Sequence, residues 1–298
     1  MAFPIYRGRF APTPSGALHE GSLLIALDGW LRARRAGGEW LLRFDDLDRA
    51  RCPAGADSTI QRQLEAHGLH WDGVAVYQSQ HVAEYSHALQ CLLREGRLYP
   101  CRCTRAELSR IQLPGPEGPV YPGRCREGLP IAPGSETAFA LRFRLSAEAM
   151  HFCDQVLGPV HRKAEQLGDF LVRRADGQIA YQLASAVDET RMGISEVVRG
   201  ADLLGSSFWQ QALMRALDAP CPAYLHLPLL LDADGRKLSK QNGAPAARIE
   251  TAPENLSAAL IRLGFSLPVS LQGAPVAQQL QFGLECNLPR LKSALPLS

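Results

Sequence analysis

The sequence predicts an α/β fold built on a parallel sheet, and three observations carry that reading. Short apolar runs at Tyr6–Phe10 and Trp40–Phe44 alternate with stretches of helical periodicity. Each run ends in a turn with chemical potential, Pro12-Thr13-Pro14-Ser15-Gly16 after the first and Asp45-Asp46 after the second. Ligands of parallel α/β sheets bind at the carboxyl ends of the strands, so both turns can face one crevice.

Taken in order, Leu23, Leu27 and Leu31, flanked by Leu24 and Trp30, recur at helical spacing, and Gly37-Gly38 ends that helix. Trp40–Phe44 reads as a buried strand. Asp57-Ser58 is suited to cap a helix carrying Ile60 and Leu64, and Val82, Tyr85, Leu89 and Leu92 fit another. The texture changes near Tyr99. Residues 112–134 hold many Pro and Gly, which disfavour long elements. Phe139–Leu145 alternates strictly, which predicts a half-buried strand with one polar face. Asp169–Arg174 and Gln178–Leu183, separated by Ala175-Asp176-Gly177, read as a hairpin. Residues 99–186 therefore read as an insertion. Phe208, Ala212 and Leu213 resume a helix, and 251–298 predict a short helix followed by a poorly patterned tail. There is no internal repeat.

The chain has 298 residues, enough for a sizeable core. Hydrophobic content of 46% and charge of 21% are ordinary for a globular protein. The net charge of +2 is too small to imply nucleic-acid binding. The mild basic excess of residues 101–174 also fits a normally solvated surface. No secretory leader and no apolar run of membrane-spanning length is present. Eight cysteines, scattered apart from one cluster, argue against a secreted disulfide scaffold and for a cytoplasmic protein.

Two segments suit phosphate. Pro12–Ser22 places a Pro/Ser/Gly turn and His19 just before a helical pattern, and helix N-termini attract anions. Arg236-Lys237-Leu238-Ser239-Lys240-Gln241 puts two lysines three residues apart in a loop, able to clamp the same phosphates. Together they suggest an ATP site. Cys101, Cys103 and Cys125 supply three donors of a kind that zinc accepts, and zinc usually takes four. The Tyr121 phenolate, water or His151 can complete the shell, and three unrelated thiols fit the spacing equally.

With these segments in view, the chain resembles a class I aminoacyl-tRNA synthetase of the glutamyl/glutaminyl group. The matching segments are Arg9–Ser22, Leu42–Asp48, Tyr181–Ala184, Val197–Leu204 and Lys237–Gln241, and they span about residues 5–245. Within the group the likeness is greatest to the enzymes without an anticodon-binding domain that glutamylate queuosine in tRNA(Asp). The resemblance implies a Rossmann-type nucleotide-binding domain in two halves, 1–98 and 187–221. It implies an inserted zinc-containing acceptor subdomain at 99–186, and a lysine loop with a short helical C-terminal region at 222–298. His19 and Gly21 take the first and third positions of the family's HIGH signature, which reads His-Glu-Gly-Ser here. Lys237–Gln241 takes the place of its KMSKS loop.

By that resemblance His19, Lys237 and Lys240 are catalytic. His19, Gly21, Ser22, Lys237, Leu238, Ser239 and Lys240 bind ATP. Arg9, Phe10, Ala11, Pro12, Thr13, Asp45, Tyr181 and Arg199 bind L-glutamate. Arg9 and Arg199 are suited to carboxylates, Asp45 and the Tyr181 hydroxyl to the ammonium. Asp45 stands where the family usually has Glu. The zinc ligands map to Cys101, Cys103, Tyr121 and Cys125. ATP and Mg²⁺ are expected as substrate and cofactor, one Zn²⁺ per chain, and a monomer that binds queuosine-bearing tRNA(Asp) and no membrane. Two alternatives remain, a short glutamyl-tRNA synthetase that charges tRNA(Glu) and an inactive synthetase-like binding protein. About 55 residues follow the lysine loop, too few for an anticodon-binding domain of ordinary size, which speaks against the first.

Overall fold

The computed structural model describes residues 5–111, 113–128, 138–229 and 246–289. Strand β1 (Arg7–Phe10), helix α1 (Glu20–Arg35) and strand β2 (Glu39–Phe44) form the first β–α–β unit. The strands run parallel, with Phe10 opposite Leu42. Helix α1 buries Leu23, Leu27 and Leu31, as their spacing predicts. It ends in paired bonds from Gly37 to the Arg34 carbonyl and from Gly38 to the Ala33 carbonyl. Gly37 adopts φ +61°, and a Cβ on Gly38 would lie 2.2 Å from the Tyr6 carbonyl oxygen, so only glycine lets the chain turn back so tightly. Helix α2 (Ala56–Ala66) leads to β3 (Val76–Tyr77), which adds to β2 in parallel. Gly55, rather than Asp57 or Ser58, holds the N-cap of α2. Asp57 instead accepts from the Tyr77 hydroxyl at 2.8 Å. Helix α3 (Val82–Arg94) buries Tyr85, Leu89 and Leu92.

After α3 come β4 (Leu98–Cys101), α4 (Arg105–Ile111), β5 (Ala140–Phe143), β6 (Met150–Asp154), β7 (Gly158–Arg162), α5 (Ala164–Leu167) and β8 (Phe170–Arg173). Strands β4, β5 and β8 make a small antiparallel sheet. Strand β5 is buried on both faces, so its polar side does not meet water. Alternation marks two different faces; here the second lies against protein, and Arg142 is buried there. The predicted hairpin at 178–183 is reduced to one bridge between Arg173 and Ile179. From Tyr181 the chain is helix α6 (Tyr181–Arg191), which buries Leu183, Ala184 and Ala186. A short apolar run cannot by itself separate strand from helix, and here packing against the neighbouring helices decided it.

Strand β9 (Glu196–Gly200), helix α7 (Leu204–Ala216) and strand β10 (Ala223–Leu227) form the second β–α–β unit, again parallel. The β6–β7 hairpin extends this sheet beyond β10. The two sheets meet where Ser195 N–H donates to the Arg7 carbonyl at 2.9 Å and Arg7 N–H donates to Ser195 Oγ at 2.8 Å. The ends of β1, β2, β9 and β10 therefore open toward one side. The C-terminal stretch holds two described helices, α8 (Ala252–Arg262) and α9 (Val276–Glu285), where the pattern predicts one. Both pack on α1 within a single core that includes Leu31, Leu256, Leu260 and Leu280. The apolar stripe of α9 is short and is interrupted by Gly283, which lets it approach Leu31 closely but weakens its periodicity. No described helix is long and apolar enough to cross a membrane.

Candidate active site

A cavity of about 810 Å³ opens at the carboxyl ends of β1, β2 and β9. Its lining includes Arg9, Phe10, Ala11, Pro12 and Thr13 from the end of β1 and the turn after it. His19, Gly21 and Ser22 come from the start of α1, Asp45 from the turn after β2, Tyr181 from the first turn of α6, and Arg199 from β9. Residues 190 positions apart in sequence thus share one wall. The turns after β1 and β2 are tied by the Asp45 N–H, which donates to the Pro12 carbonyl at 3.1 Å. Phe10 turns its ring into the core, stacked on Trp40 at 6.1 Å. Lys237, Leu238, Ser239 and Lys240 lie outside the described residues.

A network of buried charges supports one side of the cavity. Arg9 Nε lies 2.9 and 3.0 Å from the two carboxylate oxygens of Glu189, and its Nη1 donates to the Val198 carbonyl at 3.2 Å. Arg43 Nε donates to Asp45 at 2.9 Å and lies 3.7 Å from Asp188, and its Nη2 lies 3.5 Å from Glu189. Burial would raise the pKa of Glu189, but Arg9 and Arg43 outweigh it and hold the carboxyl below its usual range. Asp45 goes the other way: burial raises its pKa, and Arg43 only partly offsets this. Asp188 also accepts from the Tyr85 hydroxyl at 2.9 Å and from Gln78 at 2.8 Å. Arg9 is therefore already paired with a carboxylate of its own chain.

Arg199 differs. It is buried, and its partners are all neutral: His226 Nε2 at 3.3 Å from Nε, Gln210 Oε1 at 2.9 Å from Nη1 and Ser207 Oγ at 2.7 Å from Nη2. A guanidinium has five N–H donors, so three bonds leave two for a ligand. No ion pair joins it to a carboxylate among the described residues. Glu189 feels the Arg199 charge only through space, after Arg9 and Arg43, and a buried cation beside a cavity with no directly bonded anion attracts one.

His19 caps α1. Its Nδ1 accepts from the Gly21 and Ser22 amides at 3.1 and 3.4 Å. In the neutral ring the proton then resides on Nε2, 3.2 Å from Ser22 Oγ. A Cβ on Gly21 would lie 3.1 Å from the imidazole, so glycine makes room for this cap. Glu20, the acidic residue in the signature, reaches away to Arg262 of α8 at 2.7 Å. Gln63, buried on α2, receives the Leu18 N–H at 2.7 Å and donates to the carbonyls of Leu18 and Ala247. It joins the turn before His19 to the chain that follows the lysine loop.

The cysteine cluster assembles away from the cavity. The sulfurs of Cys101, Cys103 and Cys125 lie within 4.8 Å of one another. The Tyr121 hydroxyl is 3.5 Å from Cys101 Sγ and 3.7 Å from Cys103 Sγ, and it accepts from the Cys125 amide at 2.8 Å. Three sulfurs and one phenol oxygen converging in this way fit the donor set of a tetrahedral zinc site. His151 is exposed on β6 and lies outside the cluster. Burial pushes the Cys103 thiol up to about 11, whereas hydrogen bonds led by Tyr121 overcome burial and lower Cys125. Arg142 donates to Cys101 Sγ at 3.3 Å and stacks over the Tyr121 ring at 3.7 Å, placing a positive charge beside the donors.

Arg43, Asp188, Glu189, Gln63, Ser207, Gln210, Asp154 and His226 were not anticipated as parts of the site. A charge inside the apolar strand Trp40-Leu41-Leu42-Arg43-Phe44 is a signal that Arg43 needs a buried partner. Nothing local marks Glu189, which looks like a solvated helix residue until its carboxylate is seen against Arg9 of β1.

Two parallel β–α–β units, a capped helix start beside their strand ends and a cavity there that Arg9, Asp45 and Arg199 help to line make up the architecture of a class I aminoacyl-tRNA synthetase catalytic domain. A solved glutamate tRNA ligase from Elizabethkingia meningosepticum superposes with a TM-score of 0.81 at 24% identity, over 97% of this chain and 66% of that one. This chain thus spans just under two thirds of that structure's length. The family model for tRNA synthetases class I (E and Q), catalytic domain, matches residues 6–273, and the chain belongs to this family. A glutamyl-Q tRNA(Asp) synthetase from Thiobacillus denitrificans is 47% identical over 276 residues, which cover 92% of this chain and 90% of the relative. A protein of the same name from Chromobacterium violaceum is 46% identical over 270 residues, 90% of this chain and 89% of the relative.

Proposed function

We propose that this chain activates L-glutamate with ATP and transfers it to the queuosine base at the wobble position of tRNA(Asp). The observation that carries the activation step is Arg199, a buried cation with neutral partners facing the cavity that also holds His19 and Asp45. The α-carboxylate of glutamate attacks the α-phosphorus of ATP. The bond to pyrophosphate breaks, pyrophosphate leaves with the electron pair, and glutamyl-adenylate remains. No protein nucleophile takes part, so positioning and electrostatics lower the barrier. The two remaining N–H groups of Arg199 receive a glutamate carboxylate. Asp45 and the Tyr181 hydroxyl take the ammonium. Arg9, neutralised by Glu189, shapes this wall, and the backbone of Phe10–Thr13 completes it. His19 Nε2–H donates to a phosphate oxygen beside Gly21 and Ser22. Lys237, Leu238, Ser239 and Lys240 bind ATP as well, with Lys237 and Lys240 balancing charge on the leaving pyrophosphate. Mg²⁺, when bound, adds charge neutralisation there.

The names of the bacterial relatives support tRNA(Asp) as acceptor. A hydroxyl of the queuosine cyclopentenediol attacks the activated carbonyl and releases AMP. An unpaired loop nucleotide is accessible enough to enter such a crevice. The enzyme works as a cytoplasmic monomer, with residues 99–186 as the acceptor subdomain. The test is to offer labelled glutamate and ATP with tRNA(Asp) bearing queuosine, tRNA(Asp) bearing guanosine there, and tRNA(Glu). Label is expected on the first alone. Efficient charging of the 3′ end of tRNA(Glu) overturns the acceptor assignment, and glutamate-dependent ATP–pyrophosphate exchange without any acceptance isolates the activation half.

Lys240→Ala is expected to slow glutamate-dependent ATP–pyrophosphate exchange by roughly 10²–10³ fold while glutamate KM changes little, as for loss of a transition-state contact. Exchange at the wild-type rate removes Lys240 from the chemistry. One zinc per chain is expected on Cys101, Cys103, Tyr121 and Cys125, fixing a Pro/Gly-rich segment that buries little core of its own. Metal analysis of purified Cys101→Ser should show zinc well below one per chain. Full retention there contradicts the site.

A further inference from the structure

Arg199 stands at the end of a buried polar chain that begins on the β6–β7 turn. Asp154 closes β6 and is 1% exposed. Its Oδ1 accepts from the Val156 and Leu157 amides at 3.0 and 2.9 Å. Its Oδ2 accepts from the His226 amide at 3.1 Å and lies 2.7 Å from His226 Nδ1. Burial would raise the Asp154 carboxyl, but the bond from His226 and these amides hold it below the usual carboxylate range. An ionised carboxylate only accepts, so Nδ1 is the protonated nitrogen. His226 on β10 is wholly buried, and burial lowers its pKa against the opposing effect of Asp154. The ring is then neutral and Nε2 is an acceptor.

That acceptor points at groups that need one. Nε2 lies 3.3 Å from Arg199 Nε and 3.0 Å from Ser207 Oγ. Ser207 Oγ already accepts from Arg199 Nη2, which leaves its own proton for the imidazole. The Tyr224 ring stacks on His226 at 6.0 Å with 6° between the planes, and the Arg199 guanidinium sits 5.3 Å from the centre of the same ring. In the other tautomer Nε2–H would face Arg199 Nε–H, donor against donor. The carboxylate excludes that arrangement.

We propose that Asp154 and His226 are positioning residues for glutamate recognition: Asp154 fixes the His226 tautomer, and His226 sets the Arg199 guanidinium for the incoming carboxylate. This rests on Arg199 being the group that receives that carboxylate. The side chains in question come from β6, β10, β9 and α7, so the arrangement couples the β6–β7 hairpin to the substrate pocket.

Glutamate-dependent ATP–pyrophosphate exchange tests it in Asp154→Asn, His226→Leu, His226→Gln and Arg199→Ala, with thermal unfolding measured alongside. Asparagine keeps the shape and still accepts the Val156 and Leu157 amides; its NH₂ gives up the bond from the His226 amide, a loss the thermal unfolding reads, and favours the opposite tautomer. Glutamine can place a carbonyl oxygen near the position of Nε2. Asp154→Asn and His226→Leu should raise glutamate KM roughly tenfold, with kcat and ATP KM within about threefold. His226→Gln should keep glutamate KM within about threefold of wild type. A wild-type glutamate KM in Asp154→Asn overturns the proposal. So does His226→Gln as impaired as His226→Leu, or a loss confined to kcat and melting temperature. If His226→Leu does not fold, Asp154→Asn and His226→Gln still decide. Arg199→Ala separates the two levels. An unchanged KM there refutes carboxylate recognition itself, whereas a raised KM there beside a normal Asp154→Asn refutes only the positioning role.

Discussion

Arg199→Ala is expected to raise the glutamate KM about a hundredfold, with a much smaller effect on the ATP KM. The guanidinium is buried, its hydrogen bonds go to His226, Gln210 and Ser207, and it lies beside the Tyr224 ring, all of them neutral groups. A ligand carboxylate would be its counter-charge, and charge-assisted bonds of this kind are worth about 1.5–3 kcal/mol apiece. Arg199→Lys keeps the charge but loses the planar fork, and it should recover only a small part of the affinity. Steady-state ATP–pyrophosphate exchange over a glutamate titration checks both variants. Alanine behaving like wild type would show that another group takes the carboxylate. Glutamine, which lacks the second carboxylate, should be activated far less well than glutamate by the unaltered enzyme.

Glu189→Gln is the substitution expected to cost most stability. Its carboxylate is shared by Arg9 and Arg43, all three nearly fully buried. Removing one partner of a buried pair leaves uncompensated charge and costs about 3–5 kcal/mol. For a chain of this size that lowers the melting temperature by on the order of 10 °C. The pH dependence has a definite sign. The folded pKa of Glu189 lies below its unfolded value, so its contribution is complete above the ordinary carboxylate range and fades as pH falls through the folded pKa. Glu189→Gln should therefore flatten the acid limb of a stability-against-pH curve besides lowering its plateau. Thermal melts between about pH 3 and 7 measure this. An unshifted melt would mean that Asp45 and Asp188 suffice to neutralise both arginines.

Much of this molecule is legible in order along the chain. The leucine spacing of α1, the apolar strands β1 and β2, and the turns that end them follow from local pattern. The residues that those turns bring to the cavity are legible for the same reason: a signature such as His19-Glu20-Gly21-Ser22 is a short, contiguous device built on a helix start. Where reading failed, the deciding contacts were distant. Tyr181 opens a helix instead of lying in a hairpin because α6 must bury Leu183 and Ala186 against its neighbours. Arg142 sits inside because the polar face of β5 meets the cysteine cluster.

The sequence by itself determined the class of fold, the turn and helix start that carry His19 into the cavity wall, and the grouping of the cysteines, since each depends on periodicity or on residues close together in the chain. Tertiary structure alone decided which charges neutralise one another. Arg9 and Arg199 look alike as isolated arginines. Folding pairs Arg9 with Glu189, 180 residues away, and surrounds Arg199 with neutral acceptors. Buried electrostatics depends on distances of a few ångströms between segments that the chain brings together only when β9 packs against β1 and α6 carries Glu189 to Arg9.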